Sequence, residues 1–121
     1  MKITCGTDII EIERVKESIE NVGTKFIERV YTEKEIEYCE SRKKQKYQHY
    51  AGRFAAKEAA FKAISKILDD KYSVCWKDFE TINDGQGRPS IILHISIQKI
   101  VLHHLVLVQL SYLLVRNWHI Y

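Results

Sequence analysis

Cysteine, proline and long apolar runs are all scarce in this sequence. It has 121 residues, of which three are cysteine and one is proline. Cys5, Cys39 and Cys75 are far apart and form no Cys-x-x-Cys or Cys/His spacing, which argues against a zinc site and for reduced thiols. The most apolar stretch, residues 100–115, is shorter than the roughly 20 apolar residues of a membrane-spanning helix, and it contains two histidines. We therefore expect a cytoplasmic protein without a membrane partner.

A large excess of one charge is missing as well. The 19 lysines and arginines outnumber the 16 acidic residues only slightly, and a net charge of +3 is too small to indicate nucleic-acid binding. The basic run SRKKQK at 41–46 is typical of a solvated helix end, and the alternative is a contact with phosphate or an acidic partner. An RNA-binding module is a weaker alternative, because no base-stacking motif accompanies the run, and we expect no nucleic-acid partner. Acidic residues at positions 8, 11 and 13 argue against an apolar export signal.

The hydrophobic patterning predicts one α+β domain over residues 1–121. Residues 2–11 alternate and are β-branched, which favours a strand. Thr32 and Glu35 form a capping-box pattern before a helix at about 33–43. Glycine and proline in the stretch 83–89 predict a hairpin turn. The other expected elements are helices at 13–22 and 50–68, strands at about 77–83 and 89–95, and a last segment at 103–115 that fits a strand or a helix.

The helix predicted at 50–68 contains charges among small and apolar residues. Its segment AGRFAAKEAAFKAI, residues 51–64, carries Arg53, Lys57, Glu58 and Lys62. Charges inside a packed helix cost on the order of several kcal/mol unless they are paired or bind a ligand. The structural explanation is a surface pair between Glu58 and Lys62 and a Lys57 side chain that reaches solvent along the phenylalanines. The functional explanation requires a partner elsewhere in the chain.

Asp8 is the candidate partner, because it follows Gly-Thr at the end of an apolar strand. Its structural explanation is a helix N-cap. Two carboxylates from separate elements with lysines nearby are, however, what a magnesium–diphosphate site requires, since Mg²⁺ takes carboxylate and phosphate oxygens. The turn at 83–89 adds Gly85 and Gly87, which permit close approach of the backbone, and Arg88, which can meet a phosphate. An ordinary hairpin turn is the alternative for this stretch.

Four stretches of the chain together match a known family pattern: GTDIIEIERV, FIERVYTEKEIEYC, AGRFAAKEAAFKAI and NDGQGRPSI. In order and spacing, over residues 3–93, they resemble the holo-acyl-carrier-protein synthase family of bacterial phosphopantetheinyl transferases. The resemblance implies a phosphopantetheinyl transferase-like α+β fold, with an antiparallel sheet and a long central helix. It also implies a magnesium-dependent enzyme that moves 4′-phosphopantetheine from its substrate coenzyme A to a serine of apo acyl carrier protein and releases adenosine 3′,5′-bisphosphate.

The resemblance further implies roles for individual residues. Asp8 and Glu58 are expected to bind magnesium and Lys62 to meet the diphosphate, so these three form the expected catalytic set. The base for the serine proton is either Glu58 or a metal-bound water. A homotrimer with an active site at each subunit interface is implied as well. The nucleotide part is expected at Arg53, Lys57, Gly87, Arg88 and Pro89, and the carrier docking surface at Arg14, Phe26 and Arg29.

The segment after about residue 93 departs from the family pattern. The family has a strand with Ser-x-Ser-His there, followed by Tyr-Ala, which would contact coenzyme A, and His94, His103 and His104 do not replace it. Two explanations are open: a shifted reading frame, or a divergent tail whose residues 105–115 still supply an apolar strand. The alternative function is accordingly a catalytically impaired homologue, or a non-catalytic module that binds coenzyme A or the carrier.

The nucleotide sequence of the gene distinguishes the two explanations of the tail. A frameshift near codon 95 requires that the frame two nucleotides later encodes a helix-like stretch and then a strand with Ser-x-Ser. It also requires that no stop codon interrupts that frame. A stop codon there, or no such strand, would favour the divergent tail.

Overall fold

The computed structural model of the chain describes residues 2–68, 74–94 and 106–115. Within these ranges helices and strands follow one another in the order β-α-α-α-α-β-β-β, which confirms the α+β class. No helix in them is both long and apolar enough to cross a membrane, and the cytoplasmic location stays a prediction. The elements are β1 (Lys2–Glu11), α1 (Ile12–Val22), α2 (Thr24–Val30), α3 (Glu33–Ser41), α4 (Lys46–Ile64), β2 (Phe79–Asn83), β3 (Pro89–Leu93) and β4 (Val106–Val115).

The strands of the described residues form two two-stranded sheets. β2 and β3 pair antiparallel, with Phe79 opposite Leu93, and this hairpin is the antiparallel sheet that the sequence predicts. β1 pairs with β4 in parallel, with Lys2 in register with Val106, a pairing that the sequence did not predict. Parallel strands need a long crossover between them, and here the four helices and the hairpin lie between β1 and β4 in the chain.

The helices follow the predicted pattern with shifted ends. The capping box is confirmed: Thr32 Oγ1 accepts a hydrogen bond from the Glu35 amide at 3.3 Å, and Glu35 Oε1 accepts one from the Thr32 amide at 3.0 Å. Helix α4 begins at Lys46, four residues before the predicted start, because a single 3₁₀ turn at Lys43–Gln45 leads from the end of α3 directly into it. Helix α2 was not predicted, and Gly23, with φ +74°, separates it from α1.

The segment after residue 93 contains a strand. The last segment, which fitted a strand or a helix, is the strand β4 over Val106–Val115. It pairs with β1, so it supplies a strand to a sheet, as the divergent-tail explanation expects. Residues 95–105 and 116–121, with His103 and His104, lie outside the described residues. The same holds for residues 69–73, where the long helix was expected to end. A single domain over residues 1–121 stays a prediction.

Helix α4 is packed on more than one side. Its alanines at 51, 55, 56, 59, 60 and 63 are at most 1% exposed, and the helix contacts β1 and β4 on one side and the hairpin and α3 on another. Small side chains let neighbouring backbones come close, which is why an alanine-rich face predicts such contact. One core cluster surrounds Tyr31 and Tyr50, and the other surrounds Ile64 and Phe79.

A buried ion pair joins α3, α4 and β2. Lys57 Nζ lies 2.6 Å from Glu35 Oε1, and both side chains are fully buried. The ammonium also donates to the backbone carbonyl oxygens of Trp76, at 3.1 Å, and Phe79, while Glu35 Oε2 accepts from the Thr81 amide at 3.1 Å. Burial lowers the pKa of Lys57, and the Glu35 carboxylate opposes that shift. The pair therefore fixes how α4 docks against α3 and the hairpin.

We predict that Glu35→Ala lowers the free energy of unfolding by about 3–5 kcal/mol, because it leaves the Lys57 ammonium buried without its counter-charge. Chemical denaturation measures the loss. Glu13→Ala is the matched control, since Glu13 pairs with Lys16 at 3.7 Å on the surface, and exposed pairs contribute about 0–1 kcal/mol. Similar losses in the two variants would contradict a special role for the buried pair.

Candidate functional site

Strand β1 crosses α4 at Gly6, and the contact is between backbones. A Cβ at Gly6 would lie 1.9 Å from the carbonyl oxygen of Ala59 and 2.8 Å from the amide nitrogen of Ala63. Only glycine fits at this distance without a shift of the strand or the helix. Asp8 is two residues further along β1 and therefore lies on the same face, because side chains alternate along a strand. The crossing thus places the Asp8 carboxylate against α4.

Three of the predicted site residues meet beside this crossing. Lys62 Nζ lies 2.9 Å from Asp8 Oδ1 and also donates to the carbonyl oxygen of Thr7 at 3.4 Å. Glu58 precedes Lys62 by one turn of α4 and is near enough to Asp8 for the two carboxylates to interact electrostatically. The Asp8 side chain is 13% exposed and the Lys62 side chain 53%, so the group is open to solvent on the lysine side.

The charges of this group are not balanced. Burial, followed by the negative charge of Asp8, raises the pKa of Glu58, and Lys62 opposes the shift. The hydrogen bond to Asp8 raises the pKa of Lys62. In the described part of the chain the Glu58 carboxylate accepts no hydrogen bond. Two carboxylates that share one lysine leave a net negative charge, which a cation can neutralise.

The donor set at this site fits Mg²⁺. It consists of two carboxylates, and among the described residues no third carboxylate, histidine or cysteine completes a metal cluster. Mg²⁺ is commonly held by one or two carboxylates and takes its remaining oxygens from water and substrate phosphates. The raised pKa of Glu58 agrees with such a fit, because a cation between the carboxylates would remove the repulsion that contributes to it.

A cavity of about 220 Å³ lies nearer the amino end of α4, between α3, α4 and the hairpin. It brings together three residues predicted to contact a nucleotide, Arg53, Gly87 and Pro89, and its lining contains no carboxylate. Ligand pockets commonly measure about 300–1,000 Å³, so this cavity suits one part of a larger ligand. The lining residues are Tyr38, Gln48, His49, Gly52, Arg53, Thr81, Asn83, Gly87 and Pro89.

Arg53 is nearly buried beside this cavity. Its Nη2 donates to Asn83 Oδ1 at 2.6 Å, and Asn83 Nδ2 donates to the Gly87 carbonyl oxygen at 3.0 Å, so contacts run from α4 to the turn. Arg53 Nε and Thr81 Oγ1 are buried without a hydrogen-bond partner in the described structure. Buried polar atoms are seldom left unpaired, and both residues line the cavity. The cavity is therefore built for a polar ligand.

The hairpin turn presents Arg88 to solvent. Asp84 Oδ1 accepts from the amides of Gln86, at 2.8 Å, and Arg88, at 2.9 Å, which folds the turn, and Gly87 has φ +82°, a value that glycine adopts readily. Arg88 Nε lies 3.6 Å from Asp84 Oδ2, and both side chains are largely exposed. Since exposed ion pairs are weak, the Arg88 guanidinium can reorient toward an anion.

Lys57 was expected at the nucleotide, and the structure places it elsewhere. Its side chain is fully buried, and its ammonium is engaged by Glu35 and by two backbone carbonyl oxygens. A nucleotide could reach this ammonium only if those contacts were broken. The described geometry therefore gives Lys57 a structural task, and a contact between Lys57 and the nucleotide stays a prediction without geometric support.

The three residues expected to dock the carrier lie on α1 and α2. Arg14 and Arg29 are exposed, whereas Phe26 is half-buried and packs against Tyr31 and Phe54 with ring centroids 6.3 Å away in both cases. A second cavity, of about 380 Å³, lies beside α1 and is lined by Lys16 and Lys44 among other residues. The lining also contains Glu13, which lies 3.7 Å from Lys16 Nζ. The carrier role of the three residues stays a prediction.

Three residues that form the site or hold it in place were not identified from the sequence. Gly6 was noted only as part of a Gly-Thr pair, and nothing in the sequence shows which helix it would touch. Glu35 was explained by its capping box, which concealed its second task as the partner of Lys57. The sequence places Asn83 only at the start of the predicted turn. An asparagine beside a glycine-rich turn often forms side-chain hydrogen bonds to the backbone, as Asn83 does here with the Gly87 carbonyl oxygen.

Comparison with known proteins adds three findings. The family profile described as the 4′-phosphopantetheinyl transferase superfamily matches residues 4–120, which extends past residue 93. A relative from Ruminiclostridium cellulolyticum named holo-[acyl-carrier-protein] synthase is 50% identical over 93 residues, which are 77% of this chain and 68% of the relative. One from Solibacter usitatus with the same name is 47% identical over 94 residues, 78% of this chain and 73% of the relative.

Solved structures of the same type resemble the fold. The holo-[acyl-carrier-protein] synthase of Neisseria meningitidis superposes with a TM-score of 0.72 at 25% identity, covering 86% of this chain and 81% of that chain. The Bacillus anthracis enzyme, solved in complex with CoA (3′,5′-ADP), superposes with a TM-score of 0.64 at 36% identity and covers 75% of each chain. The phosphopantetheinyl transferase-like fold is thereby confirmed.

We predict that Gly6→Ala destabilises the protein and separates Asp8 from α4. The new methyl group meets backbone atoms that cannot rotate away, and forced overpacking costs about 1–3 kcal/mol or more. Gly85→Ala is the matched control, because nothing lies within 4 Å of a Cβ there, and such surface changes stay within about 0.5 kcal/mol. Thermal unfolding of the two variants provides the measurement, and an unchanged stability for Gly6→Ala would show that the crossing is looser than described.

Proposed function

The chain belongs to the 4′-phosphopantetheinyl transferase superfamily, as one of its holo-acyl-carrier-protein synthases, and we propose that it transfers 4′-phosphopantetheine from coenzyme A to a serine of apo acyl carrier protein. Adenosine 3′,5′-bisphosphate is the other product. The observation that carries the proposal is the meeting of Asp8, Glu58 and Lys62 on one end of α4 while a carboxylate-free cavity lies toward the other end of the same helix. Coenzyme A has a diphosphate for the first site and an adenosine for the second.

Asp8 and Glu58 would hold Mg²⁺ in this proposal, and Lys62 would meet the diphosphate. When bound, Mg²⁺ supplies charge stabilisation at the phosphorus under attack. The Lys62 ammonium pairs with Asp8 in the absence of substrate. Because its side chain is half exposed, it can turn to a diphosphate oxygen and form a charge-assisted hydrogen bond. Asp8 would thereby be released toward the cation.

The serine proton has two possible acceptors, Glu58 and a water held at the same site. The direction of the pKa shift supports Glu58 as one candidate, since a raised pKa brings a carboxylate nearer to the operating pH of a general base. Arg53, Gly87, Arg88 and Pro89 would hold the nucleotide. In support, three of these four residues line the cavity, and the fourth is an exposed cation next to it.

The carrier would dock on α1 and α2 at the exposed Arg14 and Arg29, with Phe26 beside them. The exposure of both arginines and the lysines of the second cavity support this placement. Opposite charges steer association and fix orientation. Arg14 and Arg29 would pair with carboxylates of an acidic carrier protein.

We predict that Asp8→Ala and Glu58→Ala each abolish magnesium-dependent transfer while the protein stays folded. Each removes one of two oxygen donors from separate elements, and a single carboxylate holds the cation and diphosphate poorly. The measurement is the mass gain of apo acyl carrier protein incubated with coenzyme A and Mg²⁺, together with circular dichroism of each variant. Glu37→Ala, which removes an exposed carboxylate on α3, is the control that should retain activity. Full transfer by either folded site variant would overturn the metal assignment.

We predict that Arg14→Glu weakens carrier binding and leaves coenzyme A binding unchanged. The substitution reverses one charge of the docking surface, and the affinity of the unmodified protein for the carrier should fall as salt rises, because exposed charges are screened over about 8–10 Å at physiological ionic strength. Calorimetric titration with apo carrier and separately with coenzyme A measures both. A carrier affinity that does not depend on salt would point to a mainly apolar contact.

The proposal includes a homotrimer. Residues 5, 7, 9 and 11 of β1 all point away from α4 and are exposed, and Ile9 is 68% exposed. The family resemblance implies the trimer, and a subunit contact on this face would cover Ile9. We predict a trimer mass by light scattering and its loss in Ile9→Lys, with Thr7→Ser as the control. A monomer mass for the unmodified chain would contradict the trimer and would also favour the impaired homologue, which the transfer assay tests directly.

A further inference from the structure

Lys62 covers the Asp8 carboxylate in the free protein. Its Nζ lies 2.9 Å from Asp8 Oδ1, and it also donates to the carbonyl oxygen of Thr7 at 3.4 Å. Among the described residues no other group donates a hydrogen bond to the Asp8 side chain. The protein therefore satisfies this carboxylate with an ammonium of its own.

Of the three charged groups at this site, Lys62 is the most mobile. Strand β1 and helix α4 touch through their backbones at Gly6, so Asp8 and Glu58 stay near each other and interact electrostatically. The Asp8 side chain is 13% exposed, whereas the Lys62 side chain is 53% exposed. The flexible four-carbon stem of a lysine lets its ammonium turn away without any movement of the helix. The ion pair can therefore open toward solvent while the two carboxylates keep their places.

An ammonium on Asp8 opposes the binding of a cation to the same carboxylate. The two positive charges compete for one group of oxygen donors and repel each other. A divalent cation that arrives alone has to displace Lys62, and the displaced ammonium gains only water in exchange. The free protein consequently offers the cation a weakened site.

A diphosphate removes this conflict. It gives the Lys62 ammonium a second anionic partner, and it brings oxygen ligands of its own to the cation. Both effects lower the cost of separating Lys62 from Asp8. Because the coupling between two ligands is reciprocal, the cation raises the affinity for the diphosphate by the same factor.

We propose that the ion pair of Lys62 and Asp8 is an autoinhibitory contact, which closes the cation site in the free protein and opens when a diphosphate binds Lys62. The protein then takes up Mg²⁺ together with coenzyme A and not before it. The identity of the diphosphate rests on the proposed function. The closed state of the site is a property of the free protein and can be tested separately.

Binding of Mn²⁺ to the full chain without nucleotide tests the closed state. Mn²⁺ takes the same carboxylate oxygens as Mg²⁺, and electron paramagnetic resonance measures its free concentration. Lys62→Met keeps an apolar stem and removes the ammonium. It should bind Mn²⁺ about three- to tenfold more tightly than the unmodified protein, because no ion pair has to be broken first. Lys34→Met, which removes an exposed charge on α3, should leave the affinity unchanged.

The same titration at saturating coenzyme A tests the opening. Lys62 then pairs with the diphosphate, so Lys62→Met should no longer bind Mn²⁺ more tightly than the unmodified protein. A solution of coenzyme A without protein corrects for Mn²⁺ bound to the nucleotide. A lysine that merely repels the cation from a distance would instead produce the same gain with and without coenzyme A.

Two results would overturn the autoinhibitory contact: Mn²⁺ binding without nucleotide that is equal in Lys62→Met and the unmodified protein or absent from both, or a gain in Lys62→Met that coenzyme A does not reduce. If Lys62→Met does not fold, Lys62→Gln replaces it with the same expectations. Failure of the unmodified protein to bind coenzyme A would overturn the proposed function, and the titrations without nucleotide would still decide whether Lys62 closes the cation site.

Discussion

The buried pair of Lys57 and Glu35 is the interaction on which the rest of the structure depends. Two charges with no exposure are stable only when each has several polar partners. Glu35 has the Thr32 amide, the Thr81 amide and the Lys57 ammonium, and Lys57 adds two backbone carbonyl oxygens of the segment that enters β2. These partners lie before α3, on α4 and on the hairpin. The pair therefore determines the rotation of α4 about its axis and its position against the hairpin.

Once the rotation of α4 is fixed, the positions of its other charges follow. Lys57 points into the core, Arg53 comes to the cavity beside the hairpin, and Glu58 and Lys62 come to the side where β1 crosses. Gly6 determines where along α4 the strand β1 crosses, because it lets the strand backbone contact the helix backbone. In the proposed function, a single helix would present two sites to different parts of one extended ligand. Their separation depends only on helical rise.

The sequence predicts most elements of this arrangement but few of its contacts. The strand of β1, the capping box at Thr32 and the hairpin around Gly87 follow from local patterns of alternation, capping and turn residues, and these patterns act over only a few neighbours. Glu35, the partner of Lys57, is 22 residues away in the chain. The capping box already explained Glu35 locally, so nothing in the sequence pointed to a second role. The parallel pairing of β1 with β4 is likewise a long-range choice that apolar composition alone does not determine. The meeting of Asp8 with Glu58 and Lys62 was expected from the family resemblance, and composition alone would have left Asp8 as a helix cap.

The number of hydrogen bonds that each carboxylate accepts distinguishes the role of Glu35 from that of Glu58. Glu35 is fully buried, and three donors occupy most of the acceptor sites of its two oxygens, so a ligand cannot reach it without breaking these contacts. Glu58 is only partly buried, accepts no hydrogen bond from the described residues, and has a pKa raised by burial and by Asp8. The same reasoning separates Lys57, with three oxygen partners, from Arg53, whose Nε has none. A nearly buried charged group that lacks a hydrogen-bond partner lowers the stability of the protein. Such a group is expected where a ligand supplies the missing partner. On this physical ground we assign Glu58 and Arg53 to the proposed site, and Glu35 and Lys57 to the scaffold that supports it.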